Sequence, residues 1–63
     1  MTFTLEVEKR GSVIVTKVYA TAGLCCDAFG KAADYYYGLR QVVRLVMKDE
    51  RGYLIYADDI VPL

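Results

Sequence analysis

The chain has 63 residues, of which eight are basic, eight are acidic, six are Tyr and none is His or Trp. At this length it forms one domain, and its apolar fraction of 56% is more than a single small core needs, which suggests a dimer or a partner-binding surface. The balanced charge excludes the strong cationic field of non-specific nucleic-acid binding, and the lack of His or of a nucleophile paired with a base argues against an enzyme.

The N-terminal part of the chain predicts a β-hairpin. Phe3, Leu5 and Val7 alternate with Thr and Glu residues, which is the period of a half-buried strand over residues 2–9. Gly11 can adopt the positive φ that a tight turn requires. The β-branched run over residues 12–19 then predicts the returning strand.

An alanine-rich helix is predicted over residues 22–37, with Thr21 as its N-cap and Gly38 as a left-handed C-cap. One broad stripe is expected to lie on the sheet, and it contains Leu24, Cys25, Ala28, Phe29, Ala32, Tyr35 and Tyr36. Gly23 and Gly30 each lower helix propensity by up to about 1 kcal/mol relative to Ala. Close approach of a neighbouring backbone would explain why both are Gly.

The remaining residues predict a second hairpin, with strands over 39–48 and 53–57 and a short tail. The predicted fold is therefore α+β in the order ββαββ, a four-stranded and mainly antiparallel sheet with one helix on one face. We expect the first and third strands to be central neighbours, because that order keeps the helical crossover short. The face opposite the helix is then left uncovered.

Several absences narrow the chemistry. Cys25 and Cys26 are adjacent within the predicted helix, so reduced thiols are expected rather than a disulfide, and no metal or cofactor site is predicted. Asp58 and Asp59 are interpreted as solvated charges of the tail rather than an acid and base pair. The N-terminal residues lack the apolar core of a signal peptide, and no apolar run could span a membrane, so a cytoplasmic protein is expected.

A basic stripe is predicted on the third strand, where Arg40, Arg44 and Lys48 share one face with valines 42 and 46. Such a stripe on the open face could meet phosphates or an acidic protein groove. The alternative is internal pairing, in which Glu6 and Glu8 of the first strand neutralise Arg44 and one of its companions.

Further candidate contact residues lie on the helix and the last strand. Three consecutive Tyr residues end the helix, and Tyr37 is predicted to be the exposed ring. Tyr53 and Tyr56 are predicted to point to opposite faces of the last strand, and Tyr56 is taken as a contact residue. The polar helix face contributes Asp27, Lys31 and Asp34. Unpaired edge strands would also permit a homodimer.

The segment Val42-Val43-Arg44-Leu45, followed after a Gly-containing turn by residues Tyr53 to Asp59, resembles the C-terminal hairpin of small phage-encoded anti-CRISPR proteins. The entry into the helix at Ala20-Thr21 is similar as well. The resemblance implies a protein that does no chemistry and binds a host effector complex, a CRISPR surveillance complex of type I, so that target DNA cannot reach the guide RNA. Such inhibitors use polar and basic residues of the helix and sheet for this contact, whereas here the exposed helix face offers only Lys31 among basic residues, with Asp27 and Asp34 beside it.

The leading hypothesis is thus a non-enzymatic protein-binding module that blocks a host protein or ribonucleoprotein complex sterically. A small nucleic-acid-binding protein is the alternative, using Arg40, Arg44, Lys48 and stacked Tyr rings on the sheet. A dimeric structural or antitoxin-like protein, whose open face buries only itself, is a third possibility.

Overall fold

The computed structural model describes residues 1–63, which form one four-stranded antiparallel sheet and a single helix. The strands, numbered along the chain, lie in the order β2-β1-β3-β4. The elements are β1 (Phe3–Lys9), β2 (Ser12–Tyr19), α1 (Ala22–Gly38), β3 (Val43–Asp49) and β4 (Leu54–Ile60). The predicted ββαββ order is confirmed, and so is the central pairing of the first and third strands. Strands β2 and β4 are the two edges of the sheet.

The two hairpin turns follow from local sequence. Arg10 and Gly11 form the two-residue connection of the first hairpin, and both have positive φ, at 54° and 81°, as a type I′ turn requires. In the second turn the Asp49 carboxylate accepts hydrogen bonds from the backbone N–H groups of Arg51 and Tyr53, at 2.9 and 3.0 Å. Gly52 has a φ of 84° there.

Strand β3 begins at Val43 rather than at residue 39, because the helix ends in a different way from the one predicted. The left-handed residue is Arg40, with a φ of 55°, and not Gly38. Arg40 and Gln41 donate backbone hydrogen bonds to the carbonyls of Tyr37 and Tyr36, each 3.0 Å long. This is the Schellman arrangement of a helix C-terminus, and it uses the residues predicted to start the strand.

Strand β4 is longer than the predicted 53–57, because residues Asp58 and Asp59 continue the ladder instead of forming a tail. Asp58 lies opposite Leu45 and Asp59 lies opposite Arg44. The acidic pair is therefore part of an edge strand, fixed in register with the central strand β3.

The core lies between α1 and the central strands. It consists of Leu5, Val7, Val43, Leu45, Met47 and Ile60 from the sheet with Cys25 and Phe29 from the helix. Two residues of the predicted buried stripe, Leu24 and Tyr35, are more than half exposed, while Ala33 is partly buried. The helix is thus rotated from the predicted orientation. It lacks the length and apolar character of a transmembrane helix.

The Thr21 cap gives a testable contribution to stability. Thr21 has an extended backbone, and its side-chain oxygen accepts a hydrogen bond of 3.1 Å from the N–H of Leu24. We expect Thr21→Ala to lower the free energy of unfolding by about 1 kcal/mol, measured by urea denaturation, because this N–H loses its partner. Thr21→Ser keeps the hydroxyl and should lie within a few tenths of the parent. Equal losses in both variants would mean that the hydroxyl contributes nothing.

Candidate functional site

The open face of the sheet is charge-balanced along its central strands. The Nζ atom of Lys48 lies 2.9 Å from the Oε1 atom of Glu6, the only ion pair in the structure. This hydrogen bond and the charge of Glu6 raise the pKa of Lys48. Arg44 lies in register between Glu8 and Asp59. Internal pairing of the strand's cations, the alternative to a free basic stripe, is therefore confirmed for Lys48.

The predictions that Arg40 and Val46 contribute to an exposed surface on the open face are wrong. Arg40 lies before β3 in the helix cap, and its Nη1 atom donates a hydrogen bond of 2.7 Å to the backbone carbonyl of Leu63. It therefore shares no strand face with Arg44. Val46, predicted to share the uncovered face with these cations and to contribute apolar surface there, is only 5% exposed. The basic stripe and the apolar patch do not exist in the predicted form.

The helix residues that sequence suggested for binding are at the surface. Asp27, Lys31, Asp34 and Tyr37 are all exposed, and Asp27 and Lys31 form no ion pair although they are spaced to do so. Tyr35 is exposed too. A depression of about 410 Å³ separates this helix face from the β2 edge, and it is lined by Lys17, Tyr19, Ala28, Lys31, Ala32, Tyr35 and Tyr36.

Tyr56 lies on the helix side of the sheet, not on its open face. It is opposite Met47 in the ladder, and its ring centroid is 5.3 Å from that of Phe29. A β-bulge in the β3–β4 pairing leaves Ile55 without a partner on β3. Bulges re-aim side chains at sheet edges, and here Ile55 and Tyr56 both line the same groove. Tyr53 precedes the strand and is exposed.

This groove runs between α1 and β4 and has a volume of about 390 Å³. Its lining is almost wholly apolar and consists of Phe3, Ala22, Cys26, Phe29, Gly30, Met47, Ile55 and Tyr56. Residues 22, 26 and 30 are spaced by four and so form one row along the helix. All three are small, which leaves the space between helix and strand open.

Gly30 explains much of the opening. A Cβ atom built at Gly30 would have no heavy atom within 4 Å, and the same holds for Gly23. The predicted close approach of another backbone is therefore wrong for both glycines. Gly30 borders the groove whereas Gly23 does not, so the helix is weakened at residue 30 where a side chain would narrow the groove.

The groove adjoins the free edge of β4. Leu54, Ile55 and Tyr56 are each about half exposed or more, and they form the apolar half of the strand. Asp58 and Asp59 form its acidic half, and neither takes part in an ion pair. Since β4 pairs only with β3, its outer backbone groups have no strand neighbour. Of the eight predicted binding residues, only Tyr56 borders this site.

The two thiols differ in accessibility. Both are free, with Cys25 buried and Cys26 exposed in the groove. Burial, and secondarily the neighbouring Cys26, raises the pKa of Cys25, which keeps it as the less reactive thiol. We expect iodoacetamide to modify Cys26 at least about tenfold faster than Cys25 in the folded chain, as measured by peptide mass spectrometry. Equal rates in folded protein would contradict the packing around Cys25.

The raised pKa of Cys25 also sets a dependence of stability on pH. The folded state holds the thiol proton more tightly than the unfolded state, so this stabilisation is complete below the ordinary pKa of 9.0. It is lost as the pH rises through the higher pKa of the folded state. Cys25→Ala should therefore remove part of the alkaline decline in the free energy of unfolding.

The fold and groove define a small ββαββ protein with one helix-covered face, one open face and an apolar groove beside a free strand edge. No protein-family model matches the chain, and comparison with curated proteins and with solved structures found no match.

Proposed function

We propose that this protein is a non-enzymatic protein-binding module that contacts its partner through the groove between α1 and β4. The observation that carries the proposal is the apolar lining of this groove, in which Ile55 and Tyr56 are exposed above the buried Phe29 and Met47, beside an unpaired edge strand. Apolar surface left open on a small protein marks an association site. Tyr56 adds a large ring with a polar end, a residue type enriched in protein interfaces.

The proposed mechanism is steric. A partner seated in the groove would be covered by the helix on one side and by the sheet edge on the other, and no chemical step is required of the chain. The resemblance of its C-terminal hairpin to anti-CRISPR proteins supports a phage-encoded inhibitor that binds a host ribonucleoprotein, such as a CRISPR surveillance complex, in the cytoplasm. Occupying that complex would then exclude target DNA.

The structure favours this function over nucleic-acid binding by the sheet. Lys48 is held by Glu6, and Arg44 lies between two carboxylates, so the open face offers phosphates little uncompensated charge. The apolar groove has no cation among its lining residues.

The test is affinity capture with the full chain from lysates of several candidate bacterial hosts, followed by mass spectrometry. We expect a defined protein or ribonucleoprotein to be retained at stoichiometric amounts. If it is a surveillance complex, prior addition of the chain should abolish its shift of target DNA in a gel. Recovery of no specific partner from any host would contradict the proposal, and an unchanged DNA shift would contradict its inhibitory part.

A further inference from the structure

Resting on the proposed function, we infer that the partner docks as an extended segment along the free edge of β4. It places an aromatic or aliphatic side chain in the groove and two consecutive basic residues opposite Asp58 and Asp59. The structural basis is the free edge of the seven-residue strand β4, the adjoining apolar groove to which this strand contributes Ile55 and Tyr56, and the acidic pair Asp58 and Asp59 on the same strand.

The backbone of β4 provides the first part of the recognition. This strand is hydrogen-bonded to β3 on one side only. Its outer N–H and C=O groups can therefore pair with an added strand, the mode in which main-chain hydrogen bonds give affinity and alternate side chains give specificity. The opposite edge, β2, has no comparable apolar groove beside it, because the depression there contains Lys17 and Lys31.

The groove fixes which side chain of the added strand must be apolar. Tyr56 lies on the helix side of the sheet and borders the groove. Because residues opposite each other on paired strands point to the same face, the partner residue opposite Tyr56 points into the groove. Its contacts there would be mainly with the exposed Ile55 and Tyr56, above the buried Phe29 and Met47, so an apolar side chain is required.

The acidic pair fixes the neighbouring positions. Asp58 and Asp59 are exposed and point to opposite faces of β4. Neither forms an ion pair, although Asp59 lies opposite Arg44 in the ladder. An added strand would bring one residue against each carboxylate, which calls for Lys or Arg at both positions. The expected pattern is apolar, any residue, basic, basic for a parallel segment and the reverse order for an antiparallel one.

The same charges disfavour a second copy of this chain as the occupant. Antiparallel pairing of two β4 strands centred on Asp58, or between Asp58 and Asp59, would place carboxylates of the two copies directly opposite each other. Like charges on paired strands are destabilising, and charged residues on edge strands are a common protection against self-association.

The experiment is selection of phage-displayed random dodecapeptides on the full-length chain, with removal of peptides that also bind the Gly30→Leu variant. We expect the retained peptides to share the apolar and basic spacing given above. A synthetic peptide of that pattern should bind at least about tenfold more weakly to the Asp58→Asn/Asp59→Asn variant. The matched Asp27→Asn/Asp34→Asn variant makes the same charge change on the helix and should leave affinity unchanged.

Amide hydrogen exchange separates strand addition from other modes, since the peptide should slow exchange along β4 but not along β2. The inference would be overturned if the retained peptides lacked basic residues, or if the selection retained no peptide. It would also be overturned if the Asp58→Asn/Asp59→Asn variant bound the peptide as tightly as the parent does. A stable dimer of the parent chain in light scattering, absent in the Gly30→Leu variant, would also overturn the inference. A captured partner that depends on the groove but not on the acidic pair would overturn the strand inference and leave the proposed function standing.

Discussion

Leu45→Ala is expected to remove a large fraction of the stability of this protein. Leu45 is 0% exposed and lies at the centre of the core on the central strand β3. Truncating a buried Leu costs about 2–5 kcal/mol, through lost transfer energy and the cavity left behind. A domain of 63 residues has roughly 3–9 kcal/mol in total. Urea denaturation should show a large fall in the midpoint or an unfolded chain.

Leu24→Ala is the matched control, because Leu24 is 54% exposed although its position in the helical pattern predicts burial. This variant should lie within about 0.5 kcal/mol of the parent. Equal losses at Leu24 and Leu45 would show that the helix packs in the orientation expected from the sequence and not in the one described above.

Gly30→Leu is expected to weaken binding of a captured partner by at least about tenfold, or about 1.4 kcal/mol. A Cβ atom at residue 30 meets no heavy atom within 4 Å, and residue 30 lines the groove, so the Leu side chain is expected to occupy part of it. Replacing Gly by Leu within a helix also raises helix propensity by about 0.8 kcal/mol. The variant should therefore be more stable than the parent and bind less well.

Gly23→Leu provides the control, since residue 23 is equally open but does not border the groove. Titration calorimetry or biolayer interferometry with the captured partner should give the parent affinity for Gly23→Leu. If both variants bind as the parent does, the groove is not the contact surface. If both lose affinity equally, the effect belongs to the helix as a whole.

The sequence alone was sufficient for the architecture because the alternation of Phe3, Leu5 and Val7 is strict and each turn carries a glycine. A helix that joins two hairpins in one sheet leaves few ways to order the strands, and in the observed order it crosses β1 between the parallel strands β2 and β3. These features depend on local chemistry, which a sequence displays directly.

The strand ends depend on interactions that the sequence does not display. An Arg in the left-handed region is uncommon, so the sequence favours Gly38 as the C-cap. The strand that follows is therefore predicted to begin too early, at residue 39 instead of Val43. Asp58 and Asp59 are poor strand formers by composition. They remain in β4 because the pairs on either side of them, Val46 with Ala57 and Val43 with Ile60, fix the register of the hairpin.

The candidate site was missed for a related reason. The groove requires the β-bulge that directs both Ile55 and Tyr56 towards it. No residue type near Ile55 indicates a bulge in the sequence. One signal was present: Ala22, Cys26 and Gly30 recur at intervals of four and mark a row of small residues on one side of the helix. The basic residues of β3 instead predict a binding surface on the open face, where the structure shows the cations compensated within the sheet.

The most direct test of the central claim, that the groove between α1 and β4 is the contact surface, is the alkylation rate of Cys26 in the free chain and in the captured complex. Cys26 is exposed within the groove and Cys25 is buried, so one thiol reports on occupancy. We predict that bound partner slows modification of Cys26 at least about tenfold, in line with a buried interface. An unchanged rate of Cys26 modification in a saturated complex would contradict the account.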